Sequence, residues 1–323
     1  MTLETPDRGL VESFDIYRKR KPSVTLIVHR EIVEPTLFRN SNTDRAETQE
    51  FPTRESDKKL HAQVNGEKFT SKERLTGLDL LRRLDDELDD DLVHEDYAYN
   101  EPTDLDGSLN VGTLTYGLAG TEDQDFAIKS RVVEGYTYTT EEYDLMNKET
   151  RNAVFESGTM RDEEGGQSQA LFDLVKVQPG NNLVHFVTLE AATPEMLLYV
   201  LHNVLNTGKY GARETRTGRN VRNDVIGIVL GDHDTSLSTG ELLMEYHDPG
   251  DDLRESIGSY VDEVRRADWE VYGEIDGADA FPSWFDRLHE IAAREVDDAD
   301  QVLREEFASL TTEARETFGV ADD

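Results

Sequence analysis

The chain has 323 residues, enough for two average domains or for one domain with large insertions. It carries 69 Asp and Glu against 34 Lys and Arg, a net charge of -35, and its 36% hydrophobic residues are bunched into periodic segments that suffice for a core. There is no cysteine, which excludes a disulfide framework and a thiolate metal site.

No apolar run approaches the ~18 residues of a membrane span, and the N-terminus lacks a signal-peptide pattern. A soluble, cytoplasmic protein without membrane partners is expected. The acidic excess has two readings: a cytosol of molar salt, where self-repulsion is screened within ~3 Å at 1 M, or a protein that mimics or repels nucleic acid. The acid is dispersed rather than gathered in a tail, and only ten of the cations are lysine, which favours the first.

In chain order, residues 1–16 are polar and unpatterned, and Arg18-Lys19-Arg20-Lys21 forms a small basic island. Val24 to Val33 is β-branched and apolar, so it reads as a buried strand that Pro35 ends. Thr36 to Lys72 reads as a long polar connection carrying Arg39, Arg45, Arg54, Lys58 and Lys59. A helix is expected from Gly77 to Leu92, with Thr76 as N-cap and leucines at 78, 81, 84, 88 and 92. Asp85, Asp86 and Asp89 to Asp91 read as its solvated face rather than as a metal site. Short strands are expected at Val111–Leu118, Ser130–Tyr138 and Val154–Phe155, in hairpins projecting from a core. Leu183 to Leu189 is another strand. Thr193-Pro194-Glu195 then opens a helix in a favoured way, with a hydroxyl cap, proline at the first position and acid in the first turn. Gly208 fits a left-handed C-cap for that helix. Val225–Leu230 is a short apolar strand, and helices are expected over 251–272 and 284–318.

Between the capped helix and the strand lies Thr207 to Arg222, T-G-K-Y-G-A-R-E-T-R-T-G-R-N-V-R. In a strongly acidic chain this window holds Lys209, Arg213, Arg216, Arg219 and Arg222 against Glu214 alone. Gly208, Gly211 and Gly218 free the backbone, Thr207, Thr215 and Thr217 add hydroxyls, and Tyr210 offers an aromatic face. Cations, amides, hydroxyls and a stacking surface are what a phosphate-backbone binder needs. Residue types alone leave a solvated, acid-paired surface loop equally open.

Catalytic motifs are absent: there is no G-x-x-x-x-G-K-[ST], H-E-x-x-H or G-x-S-x-G. Asp232-His233-Asp234 is a weak metal candidate, and Asp44 a candidate for metal-dependent backbone cleavage. The order of strand, helix, hairpins, strand, helix, basic loop and strand points to an α+β fold with a split β-α-β core of ferredoxin or RRM type. That core is expected over 17–250, with insertions at about 36–72 and 93–182, followed by a C-terminal helical region over 251–323.

Tyr210-Gly211-Ala212-Arg213-Glu214-Thr215-Arg216-Thr217-Gly218, followed by Ile226-Gly227-Ile228, resembles the backbone subunit of type I-D CRISPR complexes, in the Cas-seven group of the RAMP superfamily. Arg30-Glu31 with the Pro35–Phe38 turn, Arg74-Leu75-Thr76-Gly77, Tyr116-Gly117-Leu118-Ala119-Gly120 and Gly158-Thr159-Met160 resemble the same family in the same order. The resemblance implies an RRM-like core with inserted lid and thumb elements. It also implies a sequence-independent crRNA-binding subunit of a Cascade interference complex, stacked head to tail along the guide beside other subunits and presenting it to target nucleic acid. Candidate RNA contacts are Lys209, Tyr210, Gly211, Arg213, Arg216, Thr217, Gly218, Arg219 and Arg222 in the loop, with Arg30, Arg39, Asn40 and Arg45 around the turn after the first strand. Relatives often carry a cysteine zinc site before the Tyr-Gly-Leu-Ala segment; this chain has no cysteine, so no zinc or other cofactor is expected. Related type III backbones cut target RNA with a loop aspartate, which keeps a cleavage role for Asp44 open beside the purely structural one. An acidic protein-interaction module without a nucleic-acid role is the third reading.

Overall fold

A computed structural model describes residues 3–4, 6–16, 21–39, 47–52, 58–88, 92–101, 104–120, 126–142, 146–152, 171–212, 218–246 and 252–320. The first half of the chain forms β1 (Ser23–Ile32), β2 (Glu47–Pro52), β3 (Lys58–Asn65), α1 (Glu67–Leu88), α2 (Leu105–Ser108), α3 (Val111–Tyr116), β4 (Leu118–Ala119), β5 (Ala127–Ile128), β6 (Val132–Glu134), β7 (Tyr136–Tyr138) and β8 (Met146–Asn152). The second half adds β9 (Leu171–Val177), β10 (Asn182–Glu190), α4 (Pro194–Asn206), β11 (Val221–Gly231), α5 (Thr239–Glu245), α6 (Leu253–Val264), β12 (Glu270–Gly273), α7 (Ser283–Ala293) and α8 (Ala299–Phe318). No helix among the described residues is long and apolar enough to cross a membrane.

β1 is central because it is apolar on both faces. Val24, Leu26 and Val28 enter one core, Ile27 the other, and a register shift between Ile27 and Val28 lies where β1 pairs with β11. The main sheet runs β12-β11-β1-β10-β6 with every neighbouring pair antiparallel. One face is covered by α1, α3, α4, α7 and α8, whose apolar stripes form the larger core. The other packs against α5, α6 and Trp269. A third cluster, including Ile32, Phe38, Phe69, Val177, Tyr210 and Val221, closes the end of the sheet where β3 and the basic loop meet it. β2, β3 and β7 make a small separate sheet, and β8 pairs with β9 as a hairpin.

Several expected elements differ. α1 begins at Glu67, ten residues before Gly77, so Thr76 is not an N-cap but a mid-helix residue whose hydroxyl bonds Lys72 O at 3.3 Å. Gly77 serves close packing instead: a Cβ there would lie 2.3 Å from Tyr199 Oη on α4. The expected strand at 111–118 is mostly the helix α3, because Asn110 and Thr113 form a reciprocal capping box that overrides a β-branched composition. The expected strand at 130–138 is two strands, β6 and β7, joined at Gly135 and paired with β10 and β3 respectively. Much of the polar connection after β1 folds as β2 and β3. α6 stops at Val264 and residues 270–273 join the sheet edge as β12, while the last helix breaks at Arg294, whose φ of 61° is left-handed. Val154–Phe155 and Gly158-Thr159-Met160 lie outside the described residues.

Candidate nucleic-acid interface

The basic loop leaves α4 at Thr207 and enters β11 at Val221. Gly208 is not a left-handed cap. Thr207 is the C-cap in extended backbone, and its hydroxyl turns back to Asn203 O at 2.7 Å. The two ends of the loop are clasped by Asn220. Its Oδ1 accepts from Tyr210 N at 2.9 Å, its Nδ2 donates to Tyr210 O at 2.9 Å and to Thr36 Oγ1 at 3.0 Å, and its own N–H donates to Gly208 O at 2.8 Å. Gly211 is left-handed, with φ of 79°, and presses against the turn after β1: Ala212 N donates to Leu37 O at 2.9 Å, and a Cβ on Gly211 would meet that oxygen at 2.5 Å. The turn carrying Arg39 is therefore fastened to the base of the loop.

Beneath the loop is a buried polar hub drawn from five segments. Arg30 of β1 pairs with Glu73 of α1 at 2.8 Å, and both side chains are buried. Arg30 Nη1 donates to Asn223 Oδ1 at 3.0 Å and Tyr210 Oη at 3.2 Å, and Nη2 donates to His185 Nδ1 at 3.0 Å. Tyr210 donates its hydroxyl proton to Glu73 Oε1 at 2.9 Å and accepts from Asn223 Nδ2 at 2.8 Å. Asn223 also holds the α4 carbonyl of Val204 at 2.7 Å and Thr207 O at 2.9 Å. The Arg30 guanidinium lies 4.2 Å from the Phe69 ring centroid. Burial alone would lower the Arg30 pKa, but the Glu73 carboxylate and Tyr210 outweigh it and raise the pKa. Burial and Glu73 push the Tyr210 phenol up, whereas burial and Arg30 hold His185 well below the usual histidine range. His185 is therefore a neutral imidazole whose Nδ1 accepts. Removing one partner of such a pair leaves an uncompensated buried charge, at a cost of about 3–5 kcal/mol.

Two expected RNA contacts need correction. Tyr210 is 0% exposed and offers no stacking face, and Arg30, also 0% exposed, reaches no phosphate; both anchor the loop from below. Lys209, Gly218, Arg219 and Arg39 are exposed around the loop base. Arg222 is 63% exposed and pairs with Glu31 across the strands. Arg213, Arg216, Thr217, Asn40, Asp44 and Arg45 lie outside the described residues. Glu73, His185, Asn220 and Asn223 escape a reading by motif. The signals available are Phe69, Glu73 and Leu80 on one helical face, and a polar Asn223 at an inward position between Val221 and Val225. Among the described residues no group of three His, Asp or Glu is arranged to hold a metal; His233 instead faces Asp268 at 3.2 Å, and Asp85 accepts from Leu92 N at 2.7 Å.

No curated protein matches the sequence. The solved structure of Thermofilum pendens Csc2 is similar in fold, with a TM-score of 0.61 at 16% identity, covering 97% of this chain and 95% of that one. A chain of a CRISPR RNA-guided surveillance complex in a pre-nicking state is similar at a TM-score of 0.50 and 12% identity, covering 84% of this chain and 99% of that one. The model of the Csc2 CRISPR family matches residues 17–265, which takes in β1, β6, β10 and β11 of the main sheet, the hub and the basic loop. On that match the chain belongs to the Csc2 CRISPR family.

Proposed function

We propose that this chain is a sequence-independent crRNA-binding backbone subunit of a type I-D CRISPR interference complex of Cascade type. Copies stack head to tail along the guide, beside other subunits, and present it for pairing with target nucleic acid. The observation that carries this reading is the family match over residues 17–265. The basic loop supports it: exposed Lys209, Arg219 and Arg222, with Arg213, Arg216 and Thr217 between them in sequence, stand on a base that the hub holds rigid. Arginine forks and glycine amides grip phosphate without reading a base, and polymerisation on one strand adds avidity to weak single contacts.

The core is proposed to be RRM-like. The order β11-β1-β10-β6, with α1 after β1 and α4 between β10 and β11, supports a split β-α-β arrangement with strands and hairpins inserted. Residues 17–250 are proposed as that core, and 251–323 as a mainly helical region that follows it and adds β12 to the sheet edge. The net charge of -35 and the preference for arginine fit a salt-adapted cytoplasm. The test is purification in molar KCl from cells that express a guide array. Bound RNA of uniform guide length is expected, and lost when Arg213→Ala and Arg216→Ala are combined in a protein that still folds. Protein free of RNA, or a double variant that keeps it, overturns the reading.

A further inference from the structure

The N-terminal half of α1 has a second polar face, turned away from the hub. Glu67, Thr70, Ser71 and Arg74 recur at i, i+3, i+4 and i+7 and line a cavity of about 330 Å³, small among ligand pockets of ~300–1,000 Å³. Its other walls bring Tyr99, Tyr116 and Glu134 to the same space. A neighbouring cavity of about 580 Å³ shares Arg74, Tyr116 and Ser130 and has Lys129 on its wall. Arg74 thus stands between the two chambers. Its guanidinium lies 5.0 Å from the Tyr99 ring centroid and 5.6 Å from that of Tyr116, and its Nη2 bond to Gly117 O is long, at 3.5 Å. Two rings hold a planar cation whose fork has five N–H donors. Glu134, at the end of β6, accepts from the Thr70 hydroxyl, which fixes its carboxylate, and His185 Nε2 lies 3.7 Å away, beyond hydrogen-bond reach. A carboxylate has about four lone-pair sites, so acceptor capacity remains.

A flat aromatic wall, a fixed fork of donors and an acceptor-only group in one small chamber select the ligand by its hydrogen-bonding edges. Guanine has adjacent N1–H and N2–H donors that match the two oxygens of a carboxylate, and O6 and N7 acceptors that match an arginine. Uracil places carbonyl oxygens on both sides of its one ring N–H, and neutral adenine and cytosine have no ring N–H beside the amino group. We propose that this chamber binds one unpaired guanine base, with Glu134 accepting from N1–H and N2–H, Arg74 donating to O6 or N7, and the phosphate of the nucleotide on the Lys129 side. The site rests on the RNA-binding reading above and adds a preference for one base to a subunit that otherwise grips the backbone. Burial pushes the Glu134 carboxyl up to about 7, and two N–H donors favour its ionised form. Guanine binding therefore tightens as pH rises through that value.

The experiment uses the full chain freed of nucleic acid and labelled uridine oligomers that carry one guanosine, one adenosine or neither, read by fluorescence anisotropy. The guanosine oligomer is expected to bind about tenfold more tightly than the other two, as one bidentate base contact warrants. Glu134→Gln, which turns one acceptor into a donor facing N1–H and N2–H, is expected to abolish that preference and leave uridine binding unchanged. Equal affinities in the unmodified chain, or a preference that survives Glu134→Gln, overturns the pocket while uridine binding upholds the RNA-binding reading. If the uridine oligomer does not bind, that reading falls. A titration with guanosine against adenosine monophosphate then decides the pocket by itself: selective guanosine binding lost in Glu134→Gln supports it, and its absence overturns it.

Discussion

Glu134 is an acid placed where its charge is costly. It is flanked by the Thr70 hydroxyl, by His185 and, further off, by Glu73, and burial is the first cause of a carboxyl pKa raised from 4.5 to about 7. A raised folded-state pKa means that the folded protein holds the proton more tightly than the unfolded chain does. The stability this contributes is fully present below pH 4.5 and is lost as pH rises through about 7. Glutamine has the shape of the protonated acid and never pays that loss. The Glu134→Gln variant should therefore match the unmodified protein near pH 4.5 and exceed it at pH 8 by on the order of 1–3 kcal/mol. Denaturant unfolding at the two pH values checks this; a difference that does not change with pH would show that the group titrates as an ordinary carboxylate. The hub one layer away behaves differently, because Arg30 has Glu73 as a counter-charge and neutral partners in Asn223, Tyr210 and His185. One buried ion is compensated and the other is not, which is why only the second is open to proton control.

At the scale of elements, the loop is a device of two parts, an anchored base and a cationic span. Asn220 joins them by copying backbone bonds: its amide satisfies both the N–H and the C=O of Tyr210 and reaches Thr36 on the neighbouring turn. Asn220→Ala leaves those buried groups without partners, at about 1–3 kcal/mol for each donor or acceptor that no water reaches. It should lower stability by about that amount and weaken RNA binding further than the stability loss explains, since Lys209 and Arg219 then lose their fixed spacing. Unfolding curves and RNA titrations on the same preparation check it, and unchanged values in both would remove Asn220 from the loop's design. Much of this scaffold was legible beforehand. β1, β10, β11 and α4 carry apolar patterns that no other structure satisfies, and the loop announces itself by cations in an acidic chain. The start of α1 was hidden because Phe69 and Leu75 are the only apolar side chains from Glu67 to Thr76 and lie on different faces, so no apolar stripe marks it. α3 departs from the strand that V-G-T-L-T-Y favours because Asn110 and Thr113 cap it as a helix. The hub was hidden by distance in sequence: Arg30, Glu73, His185, Tyr210 and Asn223 have no shared motif, and only the sheet register and the placement of α1 bring them together.

The whole molecule poses an electrostatic problem, since a chain of net charge -35 is read as a holder of polyanions. Many of its cations are already engaged with acids on the surface. Arg8 faces Asp232 and Glu270, Arg254 faces Asp224 and Glu274, and Arg287, Arg294 and Arg315 each face aspartates. The loop, with five cations against one acid in its own sequence, stands out against that background, although Arg222 also pairs with Glu31. At low salt the long-range field of so acidic a surface repels RNA and opposes the attraction proposed for the loop. Raising salt from 0.1 to 1 M shortens the screening length from ~10 Å to ~3 Å, which removes the repulsion while the contacts within the loop persist. Five phosphate contacts on a single strand would by counterion release alone give a log–log slope of affinity against salt near about -3.5. The two trends oppose each other, so the measured slope should be much shallower, and affinity for a guide-length RNA should change by less than about tenfold between roughly 0.2 and 2 M KCl. The melting temperature should rise over the same range as self-repulsion is screened. Anisotropy titrations and thermal unfolding in a KCl series test both halves together. A slope near the full counterion-release value would mean that the acidic surface lies too far from the loop to matter, and that the grip on RNA is the ordinary salt-sensitive kind.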